Sequence, residues 1–296
     1  MELHGKLPGL RCQYQFGKVA RETELIGVPN CKPNELECRI PKSRMEANRV
    51  GRILCVANQK GGVGKTTTAV NLSAALARSG AHVLLVDLDP QCNATTGIGA
   101  VPSERHALIG SGPIRDHFVE LASENYVLLP GSRSFEDVDV LMREGETDSA
   151  RLERHLRDGI HGFDYVLIDC PPSLGALTQT ALAASTEVLM PIQCEYFAME
   201  GLTQMIHIIR KVMADGKGRL KFGGILLTMY EPGLKLTEEV DEEVREFFGD
   251  IVFDTVVPRD VALAEAPSHG RSVLDYAPRS RGARAYLELC MEVMEL

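Results

Sequence analysis

The sequence predicts an α/β fold, in which a mainly parallel sheet carries helices on both faces. Short apolar runs of strand type alternate with stretches of helical periodicity, and this alternation is typical of such folds. A glycine-rich loop joins the first apolar run to the first helical stretch, as in a βα unit. With 296 residues and 44% hydrophobic content, the chain can bury the core of one such domain.

The glycine-rich loop is the most informative segment. Residues 58–68 read Asn-Gln-Lys-Gly-Gly-Val-Gly-Lys-Thr-Thr-Thr and lie between a strand-type run at 53–57 and a helical stretch at 67–79. Where side chains are absent, backbone N–H groups can converge on a phosphate, and a helix N-terminus adds the positive end of its dipole. We therefore expect a P-loop NTPase-like fold that binds ATP or GTP. The candidate nucleotide-binding residues in the loop are Lys60, Gly61, Gly62, Val63, Gly64, Lys65, Thr66 and Thr67.

Within this loop, Lys65 would neutralise the β- and γ-phosphates, and the Thr66 hydroxyl would bind Mg²⁺. The common pattern G-x-x-x-x-G-K-[ST] asks for glycine at the position where this chain has Gln59. Lys60 adds a second cation beside the phosphates. The alternative is a glycine-rich turn that precedes a helix by chance, but such a turn seldom ends in Gly-Lys-Thr-Thr after a buried strand.

Two aspartates follow the second predicted strand. The apolar run at 81–86 leads into Asp87 and Asp89, directly before Pro90. Open α/β sheets bind ligands at the carboxyl ends of their strands, so a carboxylate here can orient a water for attack on the γ-phosphate or hold a metal-bound water. The alternative is a pair of loop aspartates that cap a turn.

A third strand is expected at 163–168, and Asp169 follows it directly. P-loop enzymes keep at this place the acid that faces Mg²⁺. Pro171 and Pro172 then forbid further strand and force a turn. Cys170 is interpreted as a small buried residue beside the sheet.

Further elements continue the alternation along the chain. No apolar run approaches the ~20 residues of a membrane span, and the eight cysteines contain no C-x-x-C pair. These features predict a soluble, cytoplasmic protein with reduced thiols. The additional predicted strands are 126–129, 187–192, 224–229 and 251–257, and the additional predicted helices lie near 197–213, 236–248 and 280–294.

Residues 1–50 differ in composition from residues 51–296, which we interpret as one domain. Through Arg52, the N-terminal part has ten basic and six acidic side chains, a charge of about +4. It is therefore interpreted as a flexible, basic extension. Three alternatives remain for it: contact with nucleic acid, a tail without a role, or a start of translation at Met45 that removes most of it.

The sequence Lys-Gly-Gly-Val-Gly-Lys-Thr-Thr resembles the deviant phosphate loop of the ParA/MinD ATPases, and the resemblance covers roughly residues 51–296. It implies binding of ATP and Mg²⁺ and slow, partner-stimulated hydrolysis. It also implies an ATP-sandwich homodimer, in which Lys60 reaches the ATP of the partner, and it implies that Asp89 positions the attacking water. The implied catalytic set is Lys60, Lys65 and Asp89, and the implied metal set is Thr66, Asp89 and Asp169.

Four motifs are similar to the ParA/Soj branch of this family. The resemblance implies that Pro258 and Arg259 lie near the adenine. It also implies chromosome or plasmid partitioning with a ParB-like partner, DNA bound without sequence preference, and a cytoplasmic, nucleoid-associated protein. The motifs lie at 191–201, 257–260, 265–270 and 278–283.

DNA binding requires a locally basic surface, whereas the chain after Arg52 has 22 basic and 35 acidic side chains. Relatives often carry basic residues at two positions where this chain has Gly233 and Ala262. The remaining candidates for a basic patch are Lys217, Arg219, Lys221, Lys235, Arg271, Arg279, Arg281 and Arg284.

Three other functions stay open as alternatives. A ParA-like ATPase of the same fold could position a protein cargo. A MinD-like ATPase would cycle on a membrane, but residues 286–296 contain three glutamates and no lysine, which an anionic leaflet would repel. A metabolic enzyme or kinase would need a small-molecule acceptor site, which no motif of the sequence indicates.

Overall fold

The computed structural model describes residues 51–110, 112–121, 125–134, 149–173, 175–195, 198–214 and 220–296. The predictions for residues 1–50, and those for Lys217 and Arg219, lie outside these ranges. Within the described ranges, no helix is both long and apolar enough to cross a membrane.

The described part of the chain forms one eight-stranded sheet. Its strands are β1 (Arg52–Val56), β2 (Val83–Asp87), β3 (Val119–Glu120), β4 (Tyr126–Leu129), β5 (Tyr165–Asp169), β6 (Glu187–Gln193), β7 (Lys221–Tyr230) and β8 (Val252–Pro258). Their order across the sheet is β3-β4-β2-β5-β1-β6-β7-β8. All neighbouring strands are parallel except β3 and β4, which pair antiparallel at one edge.

Helices connect the strands, and most of the long ones lie where the sequence predicts them. The α-helices of the described residues are α1 (Lys65–Arg78), α2 (Asn93–Gly97), α3 (Ser149–Gly159), α4 (Ala176–Ala184), α5 (Ala198–Ala214), α6 (Lys235–Phe248), α7 (Val261–Glu265), α8 (Val273–Tyr276) and α9 (Arg281–Glu295). Single turns of 3₁₀-helix lie at Ala107–Ile109, Ile114–His117, Gly249–Ile251 and Ala266–His269.

Two hydrophobic clusters cover the two faces of the sheet. Along β1, Ile53 and Cys55 belong to one cluster, and Leu54 and Val56 belong to the other. Side chains of α3, α4, α5 and α6 complete the first cluster, and side chains of α1, α8 and α9 complete the second. Because both faces are buried, the central strands are apolar at successive positions. The predicted parallel sheet with helices on both faces is confirmed.

The terminal helix α9 is part of the domain core. Its residues Tyr286, Leu289 and Val293 are at most 1% exposed. The helix is also bonded to the edge strand β8, because the Glu292 carboxylate accepts hydrogen bonds from two backbone N–H groups of that strand. The donors are Asp254, at 2.9 Å, and Thr255, at 2.7 Å. The prediction of a packed terminal helix is therefore confirmed.

The register of the central strands brings three strand ends to one level. Asp87 at the end of β2 pairs with Asp169 at the end of β5. On the other side of β5, Val56 at the end of β1 also pairs with Asp169. The loop that follows β1 therefore shares one edge of the sheet with both aspartates.

Strands β2 and β5 begin two residues later than the sequence predicts. The backbone carbonyl of His82 accepts hydrogen bonds from the N–H groups of Asp164, at 2.9 Å, and Tyr165, at 3.2 Å. Because one carbonyl takes two donors from the neighbouring strand, regular ladder pairing starts only at Val83 and Tyr165.

Candidate nucleotide-binding site

The phosphate loop leads from the end of β1 into the first turn of α1. Gly62 and Gly64 have φ angles of 75° and 89°, which residues with a side chain rarely adopt. Gly64 is the N-cap of α1. A Cβ atom built at Gly61 or Gly62 would find no atom within 4 Å, so the space in front of the loop is open. The loop thus offers an open, glycine-lined cradle at a helix N-terminus, as phosphate binding requires.

The ends of β6 and β7 anchor this loop. The Asn58 side chain donates to the Pro191 carbonyl of β6 at 2.8 Å and accepts from the Lys60 N–H at 3.0 Å. From β7, the Thr228 hydroxyl lies 2.8 Å from the Val63 carbonyl and 3.0 Å from the Ile192 carbonyl. The loop is therefore held in shape by neighbouring strands.

Lys65 opens α1 and is only 7% exposed. Its ammonium donates to the Lys60 carbonyl at 3.0 Å. Burial lowers the pKa of Lys65, and the charges of Asp169 and then Asp89 raise it. The ammonium thus lies between the loop and the two carboxylates, where a phosphate in the cradle would meet it.

Lys60 is half-buried and forms an ion pair within the chain. Its ammonium lies 3.0 Å from Glu195 Oε2, just beyond the end of β6. The other oxygen of Glu195 accepts a hydrogen bond from the Gln193 side chain. Glu195 belongs to the motif at 191–201, yet that motif alone indicates no role for it.

Asp169 is fully buried at the end of β5, and neither of its carboxylate oxygens has a hydrogen-bond partner among the described residues. Burial raises the pKa of Asp169 well above its usual value and the charge of Asp87 adds to the rise, whereas the nearby Thr66 hydroxyl opposes it. Burying an unpartnered carboxylate costs free energy. An oxygen-liganded cation such as Mg²⁺ beside Asp169 and Thr66 would remove this cost.

No group of three or more His, Cys, Asp and Glu side chains that could hold a metal ion occurs within the described ranges. A Mg²⁺ ion bound through one or two protein oxygens plus phosphate oxygens and water does not need such a group. The donors present therefore fit Mg²⁺ that arrives with a nucleotide.

Asp87 and Asp89 have different surroundings, although both are buried. The Asp87 carboxylate accepts from the Thr95 N–H at 2.9 Å, from the Thr95 hydroxyl at 2.6 Å and from the Asp89 N–H at 3.2 Å. Burial raises the pKa of Asp87 to about 6, although these hydrogen bonds oppose the rise. Asp89 Oδ1 accepts one bond, from the Gln91 N–H at 2.9 Å. Asp87 is thus occupied inside the fold, and Asp89 keeps acceptor capacity for a ligand.

Cys170 is fully buried, and its sulfur lies 3.3 Å from that of Cys55. The hydrogen bond with Cys55 and burial raise the pKa of the Cys170 thiol well above its usual value. A buried neutral thiol is unreactive. The interpretation of Cys170 as a small buried residue is confirmed.

Pro258 and Arg259 lie at the same edge of the sheet but at the end of β8, three strands away from β1. The Arg259 side chain forms an ion pair with Glu231 at 2.6 Å. The Arg259 carbonyl accepts a hydrogen bond from Arg281 at 3.3 Å. The structure therefore gathers the loop, Asp89 and Asp169 closely and places Pro258 and Arg259 at the periphery of the same edge.

The predicted basic residues are distributed over several elements. Lys221 begins β7, so it lies at the amino ends of the parallel strands, opposite the phosphate loop. Lys235 begins α6 and forms an ion pair with Glu239. Helix α6 also contains five further acidic residues in its sequence KLTEEVDEEVREFF. Gly233 has a φ of 84°, a backbone conformation that favours glycine, so this position of the chain does not supply a basic side chain. The exposed basic residues nearest the start of α9 are Arg279, Arg281 and Arg284.

Comparison with known proteins extends these observations. A family model described as an AAA domain matches residues 51–222. The sporulation initiation inhibitor protein Soj of Bacillus subtilis is 44% identical over 249 residues, which are 82% of this chain and 98% of that protein. The chromosome partitioning protein ParA of Caulobacter vibrioides is 44% identical over 261 residues, which are 84% of this chain and 96% of that protein.

Among solved structures, one described as cobyrinic acid a,c-diamide synthase from Mycobacterium smegmatis, with bound ATP analog and magnesium, matches with a TM-score of 0.72. It is 34% identical, and the match covers 83% of this chain and 95% of that one. The fold, the phosphate loop and the sequence identities agree with one another. The chain belongs to the ParA/Soj family of chromosome-partitioning ATPases.

Proposed function

We propose that this protein hydrolyses ATP to ADP and phosphate at the edge of the sheet where the phosphate loop, Lys65, Asp89 and Asp169 meet. The observation that carries the proposal is the buried, unpartnered carboxylate of Asp169 beside the open loop. A cation would stabilise this buried carboxylate, and an anion would pair with the backbone N–H groups of the loop. Mg·ATP supplies both at once. The related solved structure with bound ATP analog and magnesium supports this choice.

Each residue would act in a specific way. The backbone N–H groups of Gly61, Gly62 and Gly64 bind phosphate oxygens, and Lys65 neutralises charge on the β- and γ-phosphates. The Thr66 hydroxyl and the Asp169 carboxylate hold Mg²⁺, which screens the phosphate charges when bound. Asp89 orients the water that attacks the γ-phosphorus.

Val63, in the loop, and Thr67, in the first turn of α1, are further candidate contacts of the nucleotide. Pro258 and Arg259 would border the adenine. The Val63 carbonyl accepts a hydrogen bond from Thr228 of β7, so the peptide group that follows Val63 is held in place without a nucleotide. Such preorganisation reduces the reorganisation needed for catalysis.

The active form in this proposal is an ATP-sandwich homodimer, in which Lys60 leaves Glu195 and contacts the ATP of the partner protomer. The half-buried position of Lys60 and its ion pair with a partly exposed carboxylate permit this exchange. If the site is complete only in the dimer, a single protomer would hydrolyse ATP slowly, and a ParB-like partner would stimulate hydrolysis.

The dimer would bind DNA without sequence preference and act in partitioning a chromosome or plasmid at the nucleoid. The named relatives in chromosome partitioning support this role. The exposed arginines Arg279, Arg281 and Arg284 supply candidate phosphate contacts. Helix α6 is too acidic to face DNA, so binding would be weak and sensitive to salt.

The test is the mass of the purified Asp89→Ala protein with and without Mg·ATP, followed by retention of each species on non-specific DNA at low salt. We expect an ATP-dependent dimer that does not hydrolyse ATP and that alone retains DNA. Asp158→Ala changes an exposed aspartate of α3 and should hydrolyse ATP like the wild type.

The other outcomes are equally informative. Hydrolysis at the normal rate by Asp89→Ala would contradict the role of Asp89. A persistent monomer would contradict the role of Lys60. An ATP-dependent dimer that ignores DNA would favour a protein cargo or scaffold over the nucleoid.

A further inference from the structure

Thr95 lies at the centre of a buried hydrogen-bond network beside Asp89. Its hydroxyl donates to Asp87 Oδ2 at 2.6 Å, and its backbone N–H donates to the same oxygen at 2.9 Å. The hydroxyl oxygen accepts from the Gly131 N–H at 2.8 Å. Thr95 and Asp87 are both 0% exposed. One hydroxyl group thus joins the end of β2, helix α2 and the segment that follows β4.

Gly131 is a necessary part of this network. A Cβ atom at this position would lie 2.8 Å from Asp87 Cγ, which is closer than two carbon atoms can approach without a shift. The Asp87 carboxyl group therefore occupies the space that a side chain at position 131 would take. Because Gly131 has no side chain, the segment after β4 can lie this close to Asp87.

Asp87 transmits this arrangement to Asp89. Asp87 Oδ1 accepts the Asp89 N–H at 3.2 Å, so the backbone of the second aspartate is fixed by the carboxylate of the first. On the other side, the Asp87 carbonyl lies 3.2 Å from Nε2 of the buried His106. The Nδ1 atom of the same ring accepts the Leu108 N–H, so Nε2 carries the proton and donates to Asp87.

We propose that Thr95 is a positioning residue for ATP hydrolysis and that it acts through Asp87 to set the place of the Asp89 carboxylate. The inference rests on the proposed role of Asp89. It goes beyond that role because the buried Thr95 hydroxyl donates to Asp87 and accepts from Gly131, and the proposed function gives it no part in binding nucleotide or metal. A change at Thr95 should therefore affect hydrolysis and spare binding. Misplacing a reacting group by about 1 Å costs on the order of 100-fold in rate.

The chain provides a matched control on the same helix. Thr96 is exposed, and its hydroxyl donates to the carbonyl of Cys92, the N-cap of α2, at 3.0 Å. Thr95→Val and Thr96→Val therefore make the same chemical change one residue apart. Thr95→Ser keeps the hydroxyl and removes only a methyl group.

The experiment measures phosphate release in a single turnover from Mg·ATP-loaded full-length protein, together with the Kd for ATP and the mass of the ATP-bound species. We expect Thr95→Val to release phosphate at least about 10-fold more slowly than the wild type. Its Kd for ATP should stay within about 2-fold of the wild-type value, and its ATP-bound species should keep the mass of a dimer. Thr95→Ser should restore most of the rate, and Thr96→Val should match the wild type.

Asp87→Asn is the second variant, because Thr95→Val leaves the Gly131 N–H without an acceptor and can weaken the fold. It keeps the size of the side chain but has one acceptor oxygen instead of two, so it cannot accept from both Thr95 and the Asp89 N–H, and it should give the same separation of rate from binding. Normal phosphate release by Thr95→Val or Asp87→Asn would overturn the inference. So would a loss of ATP binding in both, which would assign the network to folding.

Asp89→Ala, measured alongside, separates this inference from the proposed function. If Asp89→Ala is inactive and Thr95→Val is normal, the role of Thr95 fails and the proposed function stands. If Asp89→Ala hydrolyses ATP normally, the proposed function fails first.

Discussion

Replacing Glu195 with glutamine should strengthen the ATP-dependent dimer. Glu195 Oε2 lies 3.0 Å from the Lys60 ammonium, so each protomer holds its own Lys60 by an ion pair. In the proposed dimer Lys60 contacts the ATP of the partner, and it has to leave Glu195 to do so. Closing the dimer therefore breaks two such ion pairs, one in each protomer.

The size of the effect follows from the exposure of the pair. The side chains of Lys60 and Glu195 are 34% and 48% exposed. Ion pairs with this much solvent contribute about 0.2–1 kcal/mol each. Two of them amount to about 0.4–2 kcal/mol per dimer, which corresponds to a roughly 2- to 30-fold lower dissociation constant for Glu195→Gln.

The assay is sedimentation equilibrium with Mg²⁺ and a non-hydrolysable ATP analogue, at low and at high salt. The gain should shrink at high salt, because salt screens exposed charges. Glu239→Gln is the control, since Glu239 forms a 3.1 Å ion pair with Lys235 on α6, away from the loop. A dimer that is unchanged or weaker in Glu195→Gln, with normal affinity for the analogue, would refute the reasoning.

Two further predictions concern binding and stability. Lys65→Ala should weaken ATP binding by roughly 10- to 150-fold, because a charged hydrogen-bond donor is removed. Lys221→Ala, at the amino end of β7 and away from the loop, should bind ATP normally. Calorimetric titration measures both affinities. Burial lowers the pKa of His106 from 6.5 to about 3, so the unfolded chain binds this proton first as the pH falls. As the pH is lowered from 6.5 to about 3, the free energy of unfolding should therefore fall, by at most about 1.4 kcal/mol per pH unit from this group. When it is measured by urea unfolding over this pH range, the free energy of unfolding of His106→Gln should depend less steeply on pH than that of the wild type. An equal dependence would contradict the burial of a neutral ring.

The elements and residues that could be predicted from the sequence are those defined by a short stretch of chain. The phosphate loop, Asp87 and Asp169 directly follow buried apolar runs, Asp89 comes two residues after Asp87, and parallel strands end at a common edge. Their grouping in the structure therefore follows from local pattern and one topological rule.

Contacts between distant parts of the chain could not be predicted in this way. The Lys60–Glu195 ion pair joins residues 135 positions apart, and the Thr228–Val63 hydrogen bond joins residues 165 positions apart. Strand β3 has only two residues, which is too short for any periodicity. Helices α2, α7 and α8 have four or five residues each and depend on tertiary contacts.

The carboxylate of Glu292 on α9 has a consequence for solubility. A strand with unpaired N–H groups at a sheet edge can add a strand from another molecule and start aggregation. Glu292 accepts from the N–H groups of Asp254 and Thr255, so these two donors of the edge strand β8 are not available to another strand. A variant that loses this carboxylate would leave both N–H groups without this acceptor, and any self-association that it showed without ATP would report strand addition and not the nucleotide-driven dimer.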